Sequence, residues 1–292
     1  MTLNNQAYFS GEHLHSLLSL REAVASVSSE RVKTLFSVAL GSSVEGAGRL
    51  RRDGRALRFE AKRVPQDPWL LFRANVERML EDLQAIPARQ SSLDVTVARG
   101  DARKCDELTG GQQFEWIVFS PPYPNNIDYT EVYKTEAWAL GLWDTPEEMK
   151  RQRLSTLRSH PSIKFPDVYH YKNSRHAGQV DLLLAPLLEA IPDDHYKFGR
   201  EQVVRGYADD MFMVLEACRK VVKPHGRLVY VVGNSVHGSG DGRFVIAADL
   251  ILARLAEFAG WRVEEIRIAR MLKRRSYEAA HLRESVVVLR PA

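Results

Sequence analysis

The sequence predicts an α/β fold with a mostly parallel sheet, an antiparallel hairpin at its C-terminal end, and a helical N-terminal region before it. Strand-like apolar segments alternate with amphipathic helical segments over residues 93–292, which is the pattern of parallel connections. The segment "FEWIVF" is nearly all apolar, as expected for a parallel strand covered on both faces. The last two strand-like segments, "WRVEEIRIARML" and "ESVVVLR", are close enough in sequence for an antiparallel hairpin.

Residues 1–92 form the predicted helical region. Leucine and valine recur at helical spacing through residues 8–40, which predicts two amphipathic helices. A third helix follows, with Asp67 as its N-cap and Pro68 in its first turn. The tract 49–63 between them carries seven basic residues against two acidic ones, so it is a candidate for contacts with a nucleic-acid backbone.

Residues 93–292 form the predicted α/β domain. Its first strand, 93–103, ends at Gly100 and Asp101, and its second runs into two consecutive prolines, which end a strand because they supply no ladder donors. A helix is predicted over 128–143. The stretch 144–200 is irregular, with one apolar helical patch. Then come a helix, a turn and a strand ending at 233–235, and a helix capped by Gly260.

The bulk composition is that of a water-soluble globular protein with a mildly basic balance. The formal net charge is +4 at pH 7, which is compatible with a nucleic-acid partner. Two cysteines are too few for a disulfide framework, and the histidines lack metal-ligand spacing. We see neither a signal peptide nor a run of about 18 apolar residues that would span a membrane, and therefore expect a cytoplasmic protein without a bound metal.

Polar or small residues follow three of the predicted strands. These are Asp101, the run Ser120-Pro121-Pro122-Tyr123, and the run 233–235. In an open α/β sheet ligands bind beyond the carboxyl ends of the strands. We therefore expect these three strand ends to form one site.

The segment "VFSPPYPNNIDYTEVY" resembles the catalytic motif of amino-methylating DNA methyltransferases, (Asp/Asn/Ser)-Pro-Pro-(Tyr/Phe/Trp). The resemblance extends to Asp101, to the helix-turn-strand "LEACRKVVKPHGRLVYVVGNS" and to the tail "RRSYEAAHLRESVVVL", and so covers most of residues 95–292. It implies a Rossmann-like methyltransferase sheet, S-adenosylmethionine as cofactor, DNA as substrate and a place in restriction-modification or phage defence. The Ser form of the motif is typical of enzymes that methylate N4 of cytosine; adenine N6 is the close alternative.

The chemistry accounts for these residue types. An exocyclic amine is a poor nucleophile because its lone pair is delocalised into the ring. The Ser120 hydroxyl and the Pro121 carbonyl can accept its two N–H groups, and Pro121 and Pro122 hold these acceptors in place. Tyr123 offers a ring on which the extruded base can stack. The bland alternative is that the two prolines only end the strand and Tyr123 packs against them.

The resemblance further implies the contact residues. It assigns the cofactor to Asp101, Phe119 and Ser120, with Asp101 at the adenine amine; a solvated turn aspartate is the alternative. Asn234 is a candidate for the pocket of the target base, or else simply ends its strand. Residues 144–200 are the expected target-recognition insert because they interleave Arg and Lys with Tyr, and we take Arg153, Arg158 and Tyr169 as its DNA contacts; a solvated charged loop is the alternative.

One part of the family pattern is missing. The Asp-Pro-Phe-x-Gly-x-Gly segment, which binds the cofactor in the family, does not occur in the sequence. Gly41, Gly46 and Gly48 are the nearest candidates, although a loop between two helices explains them better. We therefore expect a second polypeptide to carry the Gly-rich segment. The alternatives are a cofactor-incompetent DNA-binding specificity or regulatory subunit, and an RNA base methyltransferase.

Overall fold

The computed structural model describes residues 6–53, 56–86, 95–124, 127–238, 242–272 and 282–292. In chain order the helices are α1 (Gly11–Ala25), α2 (Glu30–Val44), α3 (Pro68–Ala85), α4 (Cys105–Leu108), α5 (Tyr129–Val132), α6 (Lys134–Ala139), α7 (Pro146–Ser155), α8 (Ala177–Glu189), α9 (Lys197–Val221) and α10 (Ala248–Phe258). The strands are β1 (Leu50–Arg52), β2 (Leu57–Phe59), β3 (Phe114–Phe119), β4 (Val222–Gly233), β5 (Ser235–His237), β6 (Phe244–Ile246), β7 (Trp261–Met271) and β8 (Arg283–Pro291). No helix within the described ranges is both long enough and apolar enough to cross a membrane.

The main sheet has four strands in the order β3-β4-β8-β7. β3 pairs with β4 in parallel, whereas β4 pairs with β8 and β8 with β7 in antiparallel directions. An α/β fold with a mixed sheet is therefore present, and the C-terminal hairpin is β7–β8. The prediction of a mostly parallel sheet is not met among the described residues, because only the β3–β4 pairing of the main sheet is parallel. Among the described residues β3 pairs only with β4, so the other edge of β3 carries no strand.

The chain divides into two compact units. Unit 1 comprises Met1–Thr96 and Asp128–Ser155, and unit 2 comprises Val97–Ile127 and Thr156–Ala292. The boundary predicted between residues 92 and 93 falls in the stretch 87–94, outside the described residues. The expected insert at 144–200 is shared between the units, because α7 belongs to unit 1 and residues from 156 onwards belong to unit 2.

Unit 1 packs α1, α2 and the short helix α6 around one apolar core, which includes Leu17, Leu40 and Trp138. The carboxylate of Asp67 accepts the backbone N–H of Leu70, which caps α3 as expected. Basic residues of the tract 49–63 are ion-paired within the unit: Arg52 with Glu136 and Glu45, and Arg63 with Glu45.

The glycines of residues 41–48 are explained by packing in unit 1. A Cβ at Gly48 would lie 2.8 Å from Cε1 of Phe9, and one at Gly46 would lie 2.9 Å from Cδ1 of Leu71. Gly41 lies inside α2. Small residues are needed at Gly46 and Gly48 because side chains of the unit's own core occupy the space, and this supports the loop interpretation over a cofactor loop.

Unit 2 buries the long helix α9 and the helix α10 against the sheet. Its core combines residues of α9 and α10 with the inner faces of β4 and β8, including Phe212, Leu252, Tyr230 and Val287. α10 ends at Gly260, whose φ of +83° is readily adopted only by glycine. The sheet thus has a rigid centre at β4 and β8.

The strand predicted over 93–103 is not present in the described part of that stretch. Residues 95–100 have no regular secondary structure, and Val97 is 92% exposed. Alternation of β-branched residues forms a strand only when a neighbouring strand supplies backbone partners. No such neighbour exists here among the described residues, so the segment stays irregular.

Candidate active site

Ser120 lies where β3 ends at the sheet's open edge. The following prolines stop the ladder as the sequence predicts, and Pro121 is buried while Ser120 is exposed. The Ser120 hydroxyl donates to the backbone carbonyl of Val231 on β4, with an Oγ–O distance of 2.9 Å. Because its one proton is used there, the lone pairs of the exposed oxygen remain available as acceptors.

Tyr123 lies across the end of β4. A Cβ at Gly233 would lie 2.7 Å from Cε2 of Tyr123, so only glycine allows the ring to approach this closely. The Tyr123 hydroxyl donates to Oε1 of Glu284 at 2.7 Å, and Nε of Arg270 lies 2.7 Å from the other carboxylate oxygen. Burial and the Glu284 hydrogen bond raise the pKa of Tyr123, whereas the Ser120 hydroxyl acts in the opposite direction. Tyr123 is therefore a neutral donor at physiological pH.

Glu284 is a site residue that sequence reasoning missed. The register of β4 and β8 places Glu284 opposite Gly233, which is why a ring lying over Gly233 reaches its carboxylate. No local sequence pattern marks this glutamate. Only the pairing of two strands about fifty residues apart reveals it.

Phe119 and Ser120 line an apolar groove along β3. Its volume is about 420 Å³, and its walls come from β3, Pro121, Pro122, the segment after Asp101 and one face of α9. Phe119 stacks on Tyr230 with ring centroids 5.9 Å apart. Trp116 and Val118, on β3, are 58% and 70% exposed.

Asp101 lies beside this groove, since its neighbour Ala102 lines the wall. It ends an irregular segment and caps a short 3₁₀ turn, accepting the backbone N–H of Arg103 at 3.0 Å. Its carboxylate also holds the Arg103 guanidinium at 2.7 Å, and that bond lowers the pKa of Asp101. The Asp101 carboxylate is thus already paired with Arg103.

Arg103 and Arg158 share a buried aspartate of α9. Nη1 of Arg103 lies 3.1 Å from Asp210 Oδ1, and Nη2 of Arg158 lies 2.8 Å from the same oxygen. Arg158 also pairs with Asp209 at 2.6 Å and is only 8% exposed. Because two buried carboxylates already hold the Arg158 guanidinium, it is not available to a phosphate. This geometry argues against the predicted DNA contact of Arg158.

The other two expected insert contacts are also engaged. The Arg153 guanidinium lies 2.7 Å from Asp128 within unit 1, and Asp128 in turn caps α5. Tyr169 belongs to unit 2, half-buried, with the guanidinium carbon of Arg158 5.4 Å from its ring centroid. The structure therefore brings Arg158 and Tyr169 together and assigns Arg153 to the other unit.

Asn234 is buried below the end of β4. Its amide donates to Asp249 Oδ1 at 2.8 Å, and its carbonyl oxygen accepts the Asp249 backbone N–H at 3.0 Å. Arg283 and Ser285 donate to the other oxygen of the same carboxylate. Asn234 therefore joins β4 to α10, and its predicted contact with a target base finds no support in this geometry.

The groove fits one side of a nucleoside cofactor. Phe119 and the two prolines provide an apolar wall and Ser120 provides an exposed hydroxyl, while Asp101 directly precedes Ala102 of the lining. The glycine-rich turn that would approach the carboxylate end of such a cofactor is missing from the 292-residue sequence. If such a cofactor binds in the groove, these residues would contact only one part of it.

Comparison with known proteins gives distant relatives of one kind. No protein-family model matches the chain. The chain is similar to the Type II methyltransferase M.AvaI of a Nostoc species and to that of Anabaena variabilis, each 27% identical over 158 residues, or 52% of this chain and 32% of the relative. It is also similar to the Type II methyltransferase M.BsoBI of Geobacillus stearothermophilus, 24% identical over 198 residues, or 60% of this chain and 38% of the relative. The chain spans about a third of the length of these curated relatives, and its distant homologues are Type II methyltransferases.

Proposed function

We propose that the chain is the catalytic part of a DNA methyltransferase that transfers a methyl group from S-adenosylmethionine to an exocyclic amine, with cytosine N4 as the first candidate and adenine N6 as the second. The observation that carries the proposal is the corner at Ser120–Tyr123. There an exposed hydroxyl and a fixed ring follow a parallel strand, beside a groove of nucleoside size. The distant Type II methyltransferase relatives support the same reaction class.

Ser120 and Pro121 act on the amine of the target base. Oγ of Ser120 accepts one N–H while its own O–H stays hydrogen-bonded to the Val231 carbonyl, and the Pro121 carbonyl accepts the other N–H. Both acceptors are fixed before the base arrives, so they stabilise the positive charge that develops on nitrogen without reorganisation. The two prolines keep the acceptors in position.

Tyr123 positions the base. A base inside a duplex is out of reach, so it has to be extruded and held on a stacking surface. Gly233 below the ring and Glu284 at the hydroxyl fix the ring from two sides. Because the ring is already fixed, binding of the base costs less conformational entropy.

S-adenosylmethionine, when bound, supplies the electrophilic methyl group. Phe119 and Ser120 would line its place in the groove, and Asp101 would meet its adenine amine while sharing its carboxylate with Arg103. The remaining contacts require a glycine-rich turn. We propose that a second polypeptide segment carries this turn and docks along the open edge of β3, where Trp116 and Val118 are exposed.

A methyl-transfer assay tests the proposal. The active assembly, with wild-type chain or Ser120→Ala, is given labelled S-adenosylmethionine and either duplex DNA or RNA of matching sequence. Removing one positioned acceptor is expected to reduce turnover about a hundredfold or more. Ser120→Asn keeps an acceptor oxygen and serves as the matched control, with most activity retained.

Mass spectrometry of the digested product identifies the base. N4-methylcytosine or N6-methyladenine in DNA supports the proposal and separates its two forms. Product found in RNA alone would replace it with RNA methylation. Equal turnover by wild type and Ser120→Ala would refute the assigned role of the corner.

A second candidate is a DNA-binding specificity or regulatory subunit that takes no cofactor. The pairing of Asp101 with Arg103 and the missing glycine-rich turn favour it. It predicts that DNA binding persists while no polypeptide carrying the turn restores methyl transfer.

A further inference from the structure

A second cavity of unit 2 lies apart from the groove along β3. Its volume is about 730 Å³, within the range of about 300–1,000 Å³ that small-molecule sites occupy. The lining combines aromatic rings with cationic groups: Lys164, His195, Tyr196, Phe198, Arg200 and His237. The proposed methyl transfer uses none of these side chains.

Two aromatic rings of this cavity are exposed on its surface. Tyr196 is 60% exposed and Phe198 is 51% exposed, although both are large and belong to a well-packed unit. Each ring has a cation beside it: Nζ of Lys164 lies 5.1 Å from the Phe198 centroid, and the guanidinium carbon of Arg200 lies 5.5 Å from that of Tyr196. Both rings therefore present a π surface next to positive charge.

Arg200 and Lys164 differ in whether a carboxylate of the protein already pairs with them. Arg200 is shared with Asp194, at 2.8 Å and 3.0 Å from its two oxygens. Lys164 is exposed and has no ion-pair partner among the residues that the structure describes. A free ammonium beside an exposed ring is suited to a ligand that combines an aromatic ring with an anion.

One lining residue of the cavity contacts the chain just after the Ser120–Tyr123 corner. His237, which lines the cavity, has Nε2 2.7 Å from the carbonyl oxygen of Pro124 and 2.9 Å from the hydroxyl of Ser235. Pro124 directly follows Tyr123 in the chain. His237 therefore connects one wall of the cavity to the residue that follows Tyr123.

We propose that this cavity binds a second nucleotide of the substrate strand, unstacked and next to the target base. Its base stacks on Phe198 or Tyr196, and its phosphate is contacted by Lys164. The inference rests on the proposed function, because it takes the substrate to be a nucleic acid, and it adds a subsite that the Ser120 corner does not require. Such a subsite would hold the strand open beside the extruded base.

Binding of a fluorescently labelled single-stranded DNA oligonucleotide to the 292-residue chain tests this. Loss of one stacking ring is expected to weaken binding about tenfold for Phe198→Ala and for Tyr196→Ala. Phe198→Tyr, which keeps a ring, should bind like wild type. Trp69→Ala removes a comparably exposed ring of unit 1 and should also leave binding unchanged.

The salt dependence of oligonucleotide binding distinguishes the role of Lys164 from that of Lys172. Lys164→Ala is expected to reduce the slope of log K against log salt by about one, because one phosphate contact is lost. Lys172→Ala is the matched control, since its ammonium is already paired with Asp181 at 2.6 Å. Equal slopes for the two variants would overturn the phosphate contact.

Two further outcomes are decisive. Affinities of Phe198→Ala and Tyr196→Ala within twofold of wild type, with circular dichroism unchanged, would overturn the subsite even if Ser120→Ala abolishes methyl transfer. A different result would be binding of deoxycytidine or adenosine 5′-monophosphate that depends on Phe198, with no such dependence for the oligonucleotide. The ligand of the cavity would then be a free nucleotide and not a nucleotide of the substrate strand. Turnover at saturating DNA lost only in Ser120→Ala, with oligonucleotide binding weakened only in the cavity variants, is the result expected if both proposals hold.

Discussion

At the residue scale, the position of Tyr123 depends on a neighbour that has no side chain. The ring lies where a Cβ at Gly233 would be, and its hydroxyl reaches Glu284 on the next strand. The stacking surface in the proposed mechanism is therefore held by a glycine on one strand and a carboxylate on another. A change at either position should affect the ring without touching the base.

Gly233→Ala tests this dependence. The added methyl would lie 2.7 Å from Cε2 of Tyr123, so the ring has to move, and overpacking of this kind costs typically about 1–3 kcal/mol of stability. We expect turnover of the active assembly to fall well below wild type while circular dichroism stays native. Gly178→Ala is the matched control, because nothing lies within 4 Å of a Cβ there. Equal turnover by both variants would show that the ring position does not matter.

Some residues of the candidate site follow from the sequence, and the surroundings of others depend on packing that the sequence does not show. Ser120 and Tyr123 were recognisable because their types and order carry the chemistry. Arg158 appears in the sequence as one more cation in a basic stretch, and only packing shows that Asp209 and Asp210 neutralise it. The roles of Glu284 and Gly233 depend on strand register, which has no local sequence signal.

At the element scale, buried ion pairs connect three segments of unit 2. Asp101 and Arg103 lie just before α4, and Asp210 lies on α9. Arg158 lies after α7, at the start of the segment that leads to Tyr169. Charges alternate along this chain, so each buried group has a partner of opposite sign. The network fixes the wall of the groove against the helix behind it.

Arg158→Met is expected to destabilise the protein strongly. It would leave Asp209 and Asp210 buried with reduced compensation, and breaking a buried pair typically costs about 3–5 kcal/mol. Urea unfolding measures this free energy. Arg151→Met is the control, since Arg151 is exposed and pairs only loosely with Glu148, so a change within about 0.5 kcal/mol is expected. A similarly small change for Arg158→Met would mean that the arginine is dispensable to the fold and available for other contacts.

Acid should weaken the connection between β4 and α10. Burial alone would raise the pKa of Asp249, but hydrogen bonds from Arg283, Ser285 and Asn234 together lower it below its ordinary value. A carboxylate whose folded-state pKa is lowered contributes stability above its unfolded-state pKa of about 3.9, and that stability is lost as the pH falls through the lower folded value.

Urea unfolding at pH 7, 5 and 3.5 measures this contribution. We expect the free energy of unfolding of wild type to decrease when the pH is lowered below about 4. The reason is that Asp249 takes up its proton at a higher pH in the unfolded chain than in the folded chain. Asp249→Asn should be less stable at pH 7 and lose less on acidification than wild type. Parallel acid profiles for the two proteins would contradict the assignment.

The elements were predictable to different degrees. The α3 cap at Asp67, the end of β3 at the prolines and the β7–β8 hairpin follow from local rules, and the structure contains them. The strand predicted at 93–103 failed over its described part because alternation says nothing about whether a partner strand is present. The helix predicted over 128–143 is two short helices, α5 and α6.

At the scale of the whole molecule, the β3 edge of the main sheet carries no further strand among the described residues, and in the proposed function the groove along β3 is half of a cofactor site. From the sequence, the mixed α/β class was predictable because helical and strand periodicities alternate. The membership of residues 128–155 in unit 1 was not, since these residues lie within the predicted α/β domain of the sequence. Contacts between distant segments decide such a division, and no local pattern records them.

Cofactor affinity should reflect the half site. Association costs at least several kcal/mol of lost translational and rotational freedom, which few contacts do not offset. We expect the 292-residue polypeptide alone to show little S-adenosylmethionine binding by calorimetry and no methyl transfer. Adding the polypeptide that carries the glycine-rich turn should restore both, with copurification of the two. Micromolar binding by the chain alone would point back to Gly41, Gly46 and Gly48.

The two cysteines give the molecule a chemical reporter for that docking. Cys105 Sγ lies 3.8 Å from Cys218 Sγ, and both residues line the groove along β3. The hydrogen bond between the two thiols lowers the pKa of Cys105 and, together with burial, raises that of Cys218, so Cys105 is the thiol that a maleimide should label. A polypeptide that covers the groove would shield Cys105. The rate of labelling at this one sulfur therefore follows occupancy of the groove in real time, without activity, DNA or cofactor in the assay.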